Sequence, residues 1–408
     1  MKYLAVLGRQ PEISLAELEA IYGEVRRVSD SLAVFVSTTE FTDNINRLGG
    51  TLKLAIELGQ KPIDYLSKLP DGKITIGVSD YSKKASRRTA LEEALKLKKI
   101  LMRHGRSVRV VESKDAVLAT ATSLHNGLSG KNERKVELVK VNDEWFRVIG
   151  VQDIDAYARR DQVRPARDAK VGMLPPKLAQ ILINLCGILP EGSRILDPFC
   201  GTGVVLQEAL LMGYCAYGTD INERMIEYSK RNLEWLMKSE IIQSEGIRSL
   251  ARRGRAPAAH GDRPLGRGRP SVDGPAGRGP KVDNFQISIG DATSFQWVQP
   301  INAVACEGYL GKPFSRIPSE VELKGQKQEC GSIILGFLKN ICTQIDKNTP
   351  ITIAVPAWLR EDGSYSRLDI LDEIDKLGYN VDNKSREGLL YHREDQVVAR
   401  DILILRKK

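Results

Sequence analysis

The first fifty or so residues alternate short apolar runs with one helical period. YLAVLG and LAVFVS read as strands on either side of SLAELEAIYG, where Ser14 and Glu17 have capping-box spacing and Gly23 suits the helix end. A second set follows: TLKLAIELG, IDYLSKL, KITIGVSD, a basic helix from about Ser86 to Arg103, SVRVVES, and RKVELVKVNDEWFRVIGVQD. Strands mixed with helices, without a glycine-rich phosphate loop, predict small α+β modules that bind rather than catalyse. They divide into residues 1–58 and 59–152.

From 153 to 172 the text is polar, charged and without periodicity, as a linker would be. Beyond it, PPKLAQILINLCGIL opens with prolines suited to a first helical turn. Its Leu178, Ile181, Leu182 and Leu185 recur at i, i+3, i+4 and i+7, one buried helix face. The rest alternates: RILD, a helix Val204 to Met212, CAYGTD, a helix Asn222 to Met237, FQISIGD, INAVAC, a helix from about Glu320 to Ile345, ITIAVP and a helix Leu368 to Leu377. Two strands follow, around GLLYHRE and VVARDILILRKK. Repeated βα units require a parallel sheet covered by helices on both faces. The last two strands are joined too tightly for a crossover, so one must run antiparallel. Residues 173–408 therefore form one α/β unit of Rossmann-like character, interrupted at 244–283.

Charge changes the picture at that interruption. The chain carries +9, yet six of those charges lie between Arg248 and Asp283, where arginine, glycine and proline replace large apolar residues. Such a segment cannot bury enough surface to offset its chain entropy and is expected to be a disordered insertion. A neutral spacer is the expected role, with an RNA-grazing arm or a gene-prediction artefact as alternatives. The basic stretch around Ser86 to Arg103 suits either a phosphate backbone or solvent, and charge alone favours solvent. Six cysteines without a CxxC pair and four scattered histidines predict reduced thiols and no metal site. The apolar run Tyr3 to Leu7 is too short for a signal-peptide core, and no run approaches a membrane span, so a cytoplasmic location is expected.

The candidate chemistry begins at RILDPFCGTGVVLQEALLMGYCAYGTD. A strand delivers Asp197 to its carboxyl end, Gly201 and Gly203 turn the chain, and a helix starts at once; ligands of open α/β sheets bind at such strand ends. The dinucleotide pattern fails, because its third glycine position holds Leu206, and no Walker lysine is present. Asp220, at the end of the next strand, can accept from both hydroxyls of a ribose, and Asp291 is placed to meet an adenine amino group. Three acidic positions at three successive strand ends describe S-adenosylmethionine, with Pro198, Cys200, Thr202, Ile221 and Ala292 flanking them. Cys200 reads as a small space-filler. Arg164 and Arg167 either touch substrate phosphate or pair with Asp161 and Asp168, and pairing is favoured.

LDPFCGTG, GMLPPKLAQILINL and YARRDQVRPARD together resemble the THUMP-containing tRNA guanine-N2 methyltransferases, and YLAVLGRQPEISLAELEA resembles their N-terminal ferredoxin-like module. The resemblance implies a class I methyltransferase with a seven-stranded sheet ending in an antiparallel hairpin, preceded by ferredoxin-like and THUMP modules. It also implies S-adenosylmethionine as donor and tRNA as partner, held by the N-terminal half. Nothing in the chain names an activating protein or signals oligomerisation, so a monomer is expected.

After the fourth strand, amine-directed relatives carry Asp or Asn, two prolines and an aromatic residue. This chain has CEGYLGKP. By that correspondence Glu307 supplies an acceptor oxygen, Gly308 a carbonyl and Tyr309 a stacking face, while Cys306 stands where Asp would align and Pro313 stiffens the exit. Cys306 has no basic neighbour in sequence, which argues against an activated thiol. The expected activity is methylation of a guanine amino group in tRNA. Its rivals are another amino-directed methyltransferase of the same fold and a catalytically silent tRNA-binding protein.

Overall fold

The computed structural model describes residues 1–37, 44–168, 173–239, 284–382, 385, 388–394 and 396–408. The expected insertion at 244–283 and the end of the expected linker, 169–172, lie outside them.

The N-terminal half is built on one eight-stranded sheet in the order β2-β3-β1-β4-β8-β7-β5-β6. Its strands are β1 (Lys2–Leu7), β2 (Val25–Ser29), β3 (Leu32–Val36), β4 (Thr51–Glu57), β5 (Ile74–Asp80), β6 (Val108–Val111), β7 (Lys135–Val141) and β8 (Glu144–Val151). The two segments separated in the sequence at residue 58 share this sheet, because β4 pairs with β8 from Lys53↔Val151 onwards. Helices α1 (Pro11–Tyr22), α2 (Pro62–Ser67), α3 (Arg87–Arg103) and α4 (Thr120–His125) accompany it. The Ser86–Thr89 capping box starts α3, and its buried residues recur as Ala90, Ala94, Leu97 and Leu101, an amphipathic spacing.

The capping box expected at Ser14 and Glu17 is not formed. Helix α1 starts at Pro11, whose fixed φ and missing N–H suit a first turn, and Gly23 ends it with its N–H on the Glu19 carbonyl. Ser14 and Glu17 are therefore inside the helix and buried. Glu17 accepts instead from Gly49 N at 2.9 Å, Gly50 N at 2.8 Å and Asn184 Nδ2 at 2.7 Å.

That last bond reaches the second unit, through α6 (Pro176–Leu185). One buried face was expected of this helix, yet Leu178 through Leu185 are buried without a break. The apolar residues of α6 pack with α7 (Val204–Leu211) and with Ile13 and Ala16 of α1, in one hydrophobic cluster. Its polar residues Gln180 and Asn184, one turn apart, donate to the Asn46 and Arg47 carbonyls at 3.1 and 2.6 Å. The second face escaped the periodicity because it buries amides rather than hydrocarbon.

Residues 153–168 of the expected linker are also structured. Helix α5 (Ile154–Ala158) is capped by the Asp153 side chain and continues into one π turn, Arg159–Val163. Arg160 is buried in an ion pair with Glu208 of α7 at 2.8 Å. Asn232, on α8 (Glu223–Lys238), receives the Ala166 N–H at 2.9 Å and returns an N–H to the Ala166 carbonyl. Of the favoured pairing of Arg164 and Arg167 with Asp161 and Asp168, the charge of Asp161 acts on Arg164. Arg164 is buried and donates to the Met173 sulfur, Arg167 donates to the Gln162 carbonyl, and Asp168 accepts from Arg224 at 2.7 Å. Arginine stems cover apolar surface well, so a charged, aperiodic stretch packs like any other.

The C-terminal half has a sheet ordered β11-β10-β9-β12-β13-β17-β15, from β9 (Arg194–Asp197), β10 (Cys215–Asp220), β11 (Phe285–Ile289), β12 (Ala303–Glu307), β13 (Pro350–Leu359), β15 (Tyr379–Val381) and β17 (Val398–Lys407). The first five run parallel, and β17 is antiparallel to β13 from Pro350↔Arg406 to Trp358↔Val398. The short strands β14 (Tyr365–Ser366) and β16 (Leu389–Tyr391) pair antiparallel with β13 and β17. The antiparallel close was expected; β15 was not, being three residues long. Helices α9 (Glu320–Cys342) and α10 (Leu371–Lys376) follow their expected positions with shorter ends. The order places the carboxyl tips of β9, β10, β11 and β12 side by side.

Burial holds the Glu17 carboxyl up to about 7, above its ordinary 4.5, in spite of its three N–H donors. The folded chain therefore binds the extra proton between those values, and stability must fall as pH rises through that window and level off above it. Urea unfolding of the wild type and of Glu17→Gln should show the wild type losing roughly 3 kcal/mol relative to the variant across the window. Parallel pH profiles would contradict the assignment.

Candidate active site

The turn that opens the site is fixed from behind. After Asp197 the chain passes through Pro198, Phe199, Cys200, Gly201, Thr202 and Gly203 into α7, with φ of +49° at Gly201 and +80° at Gly203. Helix α8 pins the turn: Ser229 Oγ donates to the Gly201 carbonyl at 2.7 Å and Asn232 Nδ2 to the Thr202 carbonyl at 2.8 Å. The polar residue that grips the 153–168 segment thus also grips the cofactor turn.

Leu206, which broke the dinucleotide pattern, is accommodated on the other partner. A Cβ at Gly218 of β10 would lie 2.5 Å from Leu206 Cδ1 and 3.1 Å from Cys200 Sγ. The close helix–strand approach is reached by a glycine on the strand, so the helix keeps its leucine. Gly203, expected to bind cofactor, does not line the cavity; a Cβ there would sit 2.8 Å from Ser229 Oγ, and its left-handed φ starts α7.

A cavity of about 890 Å³ opens at the strand tips. Asp197, Pro198, Cys200, Gly201, Thr202, Asp220, Ile221, Asp291 and Ala292 line it, together with Glu307, Gly308 and Tyr309. Cys306 does not. It is fully buried in the core under β12, and burial pushes its thiol well above the usual range, so its expected place in the catalytic set is withdrawn. The thiol of Cys200 is pushed up in the same way and lies 3.8 Å from Ser229 Oγ, the position of a space-filler.

Three carboxyls share the floor of this cavity. Asp220 accepts from Gly201 N at 2.9 Å and Asn222 N at 2.8 Å, and burial nevertheless raises its pKa. Asp197 accepts from Phe199 N at 3.1 Å; burial pushes it well above its usual value, and the charges of Asp220 and Glu307 push the same way. Burial also raises Glu307, opposed by Arg400, whose Nε donates to Glu307 Oε1 at 2.6 Å, and by the charge of Arg393. Asp291 differs: it is exposed at the rim, and Oδ1 accepts from the Thr293 N–H and hydroxyl at 2.8 and 2.7 Å, which lowers its pKa.

The acceptor loop lacks the two prolines of amine-directed relatives, and helix α9 supplies the restraint in their place. Gly308 N donates to the Ala354 carbonyl at 2.9 Å, extending the β12–β13 ladder past Glu307. Tyr309 donates its hydroxyl to Glu329 Oε1 at 2.9 Å, and Lys312 N donates to Gln326 Oε1 at 2.7 Å. Pro313, expected to stiffen the exit, lies on the cavity wall beside these ties. Sequence reasoning passed over Gln326, Glu329 and Arg400. Arg400 left a signal, as a charged residue inside the apolar strand VVARDILIL.

The donor set suits a cationic ligand bearing a sugar and an apolar ring: desolvated carboxylates face one void, and Leu174, Val205, Ile221 and Ala292 give it apolar walls. Fold and site together define a class I S-adenosylmethionine-dependent methyltransferase. Residues 164–256 match the family described as an RMKL-like methyltransferase domain, UPF0020. A tRNA (guanine(10)-N2)-dimethyltransferase of Pyrococcus abyssi is 32% identical over 258 residues, 60% of this chain and 71% of that protein. A protein of the same name from Methanothermobacter thermautotrophicus is 47% identical over 76 residues, 18% of this chain and 22% of its own length. The solved structure of TrmN from Thermus thermophilus aligns over the whole of both chains with a TM-score of 0.45 and 15% identity. The chain belongs to the tRNA (guanine(10)-N2)-dimethyltransferase family.

Among the described residues no group of His, Cys, Asp and Glu has the arrangement of a metal site, and no helix is long and apolar enough to cross a membrane.

Asp220→Ala removes a carboxylate that both faces the cavity and fastens Gly201. Calorimetric titration with S-adenosylhomocysteine should show Kd rising about 10- to 100-fold, the range of one or two charge-assisted hydrogen bonds. An unchanged Kd in a folded variant would remove Asp220 from the site.

Proposed function

We propose that this protein transfers a methyl group from S-adenosylmethionine to the exocyclic N2 of a guanosine in tRNA, with Glu307, Gly308 and Tyr309 presenting the amine. The observation that carries this reading is the position of those three residues, held at the tip of β12 and lining the same cavity as Asp197 and Asp220. Bound S-adenosylmethionine supplies an electrophilic methyl group on a sulfonium sulfur.

An exocyclic guanine amine is a weak nucleophile because its lone pair is delocalised into the ring. Glu307 accepts one N–H and the Gly308 carbonyl the other, which draws the nitrogen towards pyramidal geometry. Tyr309 offers a face on which the base stacks, fixed through its hydroxyl to Glu329. As the nitrogen–carbon bond forms and the sulfur–carbon bond breaks, positive charge grows on nitrogen; the Glu307 carboxylate stabilises it, and one amine proton is then lost to solvent. Asp220 takes the ribose hydroxyls and Asp291 the adenine edge, with Pro198, Cys200, Gly201, Thr202, Ile221 and Ala292 shaping the pocket around them.

The N-terminal half is assigned to tRNA binding, with residues 1–58 as a ferredoxin-like module and 59–152 as a THUMP-like domain. Exposed Arg87, Arg88, Lys96, Lys99 and Arg103 on α3 support this, since a phosphate backbone is held by such charge. The protein acts as a cytoplasmic monomer.

Incubation of unmodified tRNA with the enzyme and labelled S-adenosylmethionine, followed by nucleoside analysis, should place label in N2-methylguanosine or its dimethyl form. Label in another nucleoside, or none, contradicts the proposal. Glu307→Gln and Tyr309→Ala should each lower turnover on the order of 100-fold while the Kd for S-adenosylhomocysteine stays within about threefold. Unchanged turnover in both would remove these residues from the transfer step.

A further inference from the structure

Arg400 is the charged residue closest to the acceptor carboxylate, and the resemblance and the comparisons assign it nothing. It lies on β17, opposite Pro356 of β13, with only 4% of its side chain exposed, and it lines the cavity. Nε donates to Glu307 Oε1 at 2.6 Å and Nη1 donates to Gln396 Oε1 at 3.2 Å, so two of its nitrogens are fixed in different directions. An arginine fork between a carboxylate and an amide has little freedom to swing. The Glu307 side chain is one methylene longer than that of Asp or Asn, and a free glutamate would sample several rotamers. The ion pair removes that freedom.

We infer that Arg400 is a positioning residue for methyl transfer: it clamps the longer Glu307 side chain at the strand tip, so that one carboxylate oxygen is anchored and the group is presented to the amine as an anion. The inference rests on the role given to Glu307 above and deepens it. It also explains why an antiparallel strand far from the cofactor turn contributes to the cavity wall. Burial opposes the Glu307 anion, and Arg400 from β17 and Arg393 from the segment before it both favour it; the Glu307 charge in turn raises the pKa of Asp197 on β9. Removing Arg400 leaves a buried carboxylate with a weaker cationic field. Its proton is then held to higher pH.

The test compares wild type, Arg400→Lys, Arg400→Gln and Glu307→Gln in tRNA methyl transfer from pH 5 to 9, with S-adenosylhomocysteine titration as the control for folding. Arg400→Gln should lower kcat on the order of 100-fold and move the acid limb of the kcat profile upward by about one unit or more. Arg400→Lys, which keeps the charge without the fork, should restore the position of the acid limb and part of kcat. The double variant Arg400→Gln with Glu307→Gln should be no slower than Glu307→Gln alone, because the clamp then has nothing to hold. If Arg400→Gln lowers thermal stability but leaves kcat and the acid limb in place, Arg400 is structural and the inference fails. If Glu307→Gln itself leaves turnover intact, the failure belongs to the assignment of Glu307.

Discussion

The site depends on one electrostatic constraint: three carboxyl groups, Asp197, Asp220 and Glu307, are drawn out of water at the tips of neighbouring parallel strands and face a single cavity. Isolated anions do not tolerate that placement, because burial favours the neutral form. Each is compensated differently. Asp220 takes two backbone N–H groups, Asp197 takes one, and Glu307 takes the Arg400 guanidinium. The compensation is incomplete, since the pKa of all three stays above the ordinary carboxylate range. A ligand carrying a positive sulfur completes it, and this selects a sulfonium donor over an anionic nucleotide.

The remainder of the fold holds those strand tips in place. Helix α6 is buried on both faces, joining the catalytic sheet to α1, and Glu17, Gln180 and Asn184 bind the two units with amides and a carboxylate. Asn232 bridges the 153–168 segment and the cofactor turn. Buried hydrogen bonds thus tie the N-terminal unit to α6, and the 153–168 segment to the cofactor turn.

Much of this was legible in the sequence, and the misses have one physical origin. Periodicity located the parallel strands, the helices and the glycine turn, because apolar burial and left-handed turns leave strong local signals. Interactions that bury polar groups against distant partners leave none. Glu17 resembled half of a capping box because spacing records local geometry, while the N–H groups that donate to it lie more than thirty residues away. Gln180 and Asn184 fall off the apolar period of their helix, and Arg160 lies in the stretch expected to be linker. In the loop after β12, Gln326 and Glu329 of α9 tie Lys312 and Tyr309 down from positions that the loop sequence does not reveal. Cys306 was drawn into the catalytic set by alignment logic, and strand alternation sends its side chain into the core instead.

The most direct test is proton release on cofactor binding, measured by calorimetry across pH 5 to 8 in buffers of different ionisation enthalpy. A cation bound beside desolvated carboxyls lowers their pKa, so S-adenosylmethionine should release a measurable fraction of a proton, and more than S-adenosylhomocysteine, whose sulfur is neutral. Equal proton release by the two ligands, or none with either, would contradict the account.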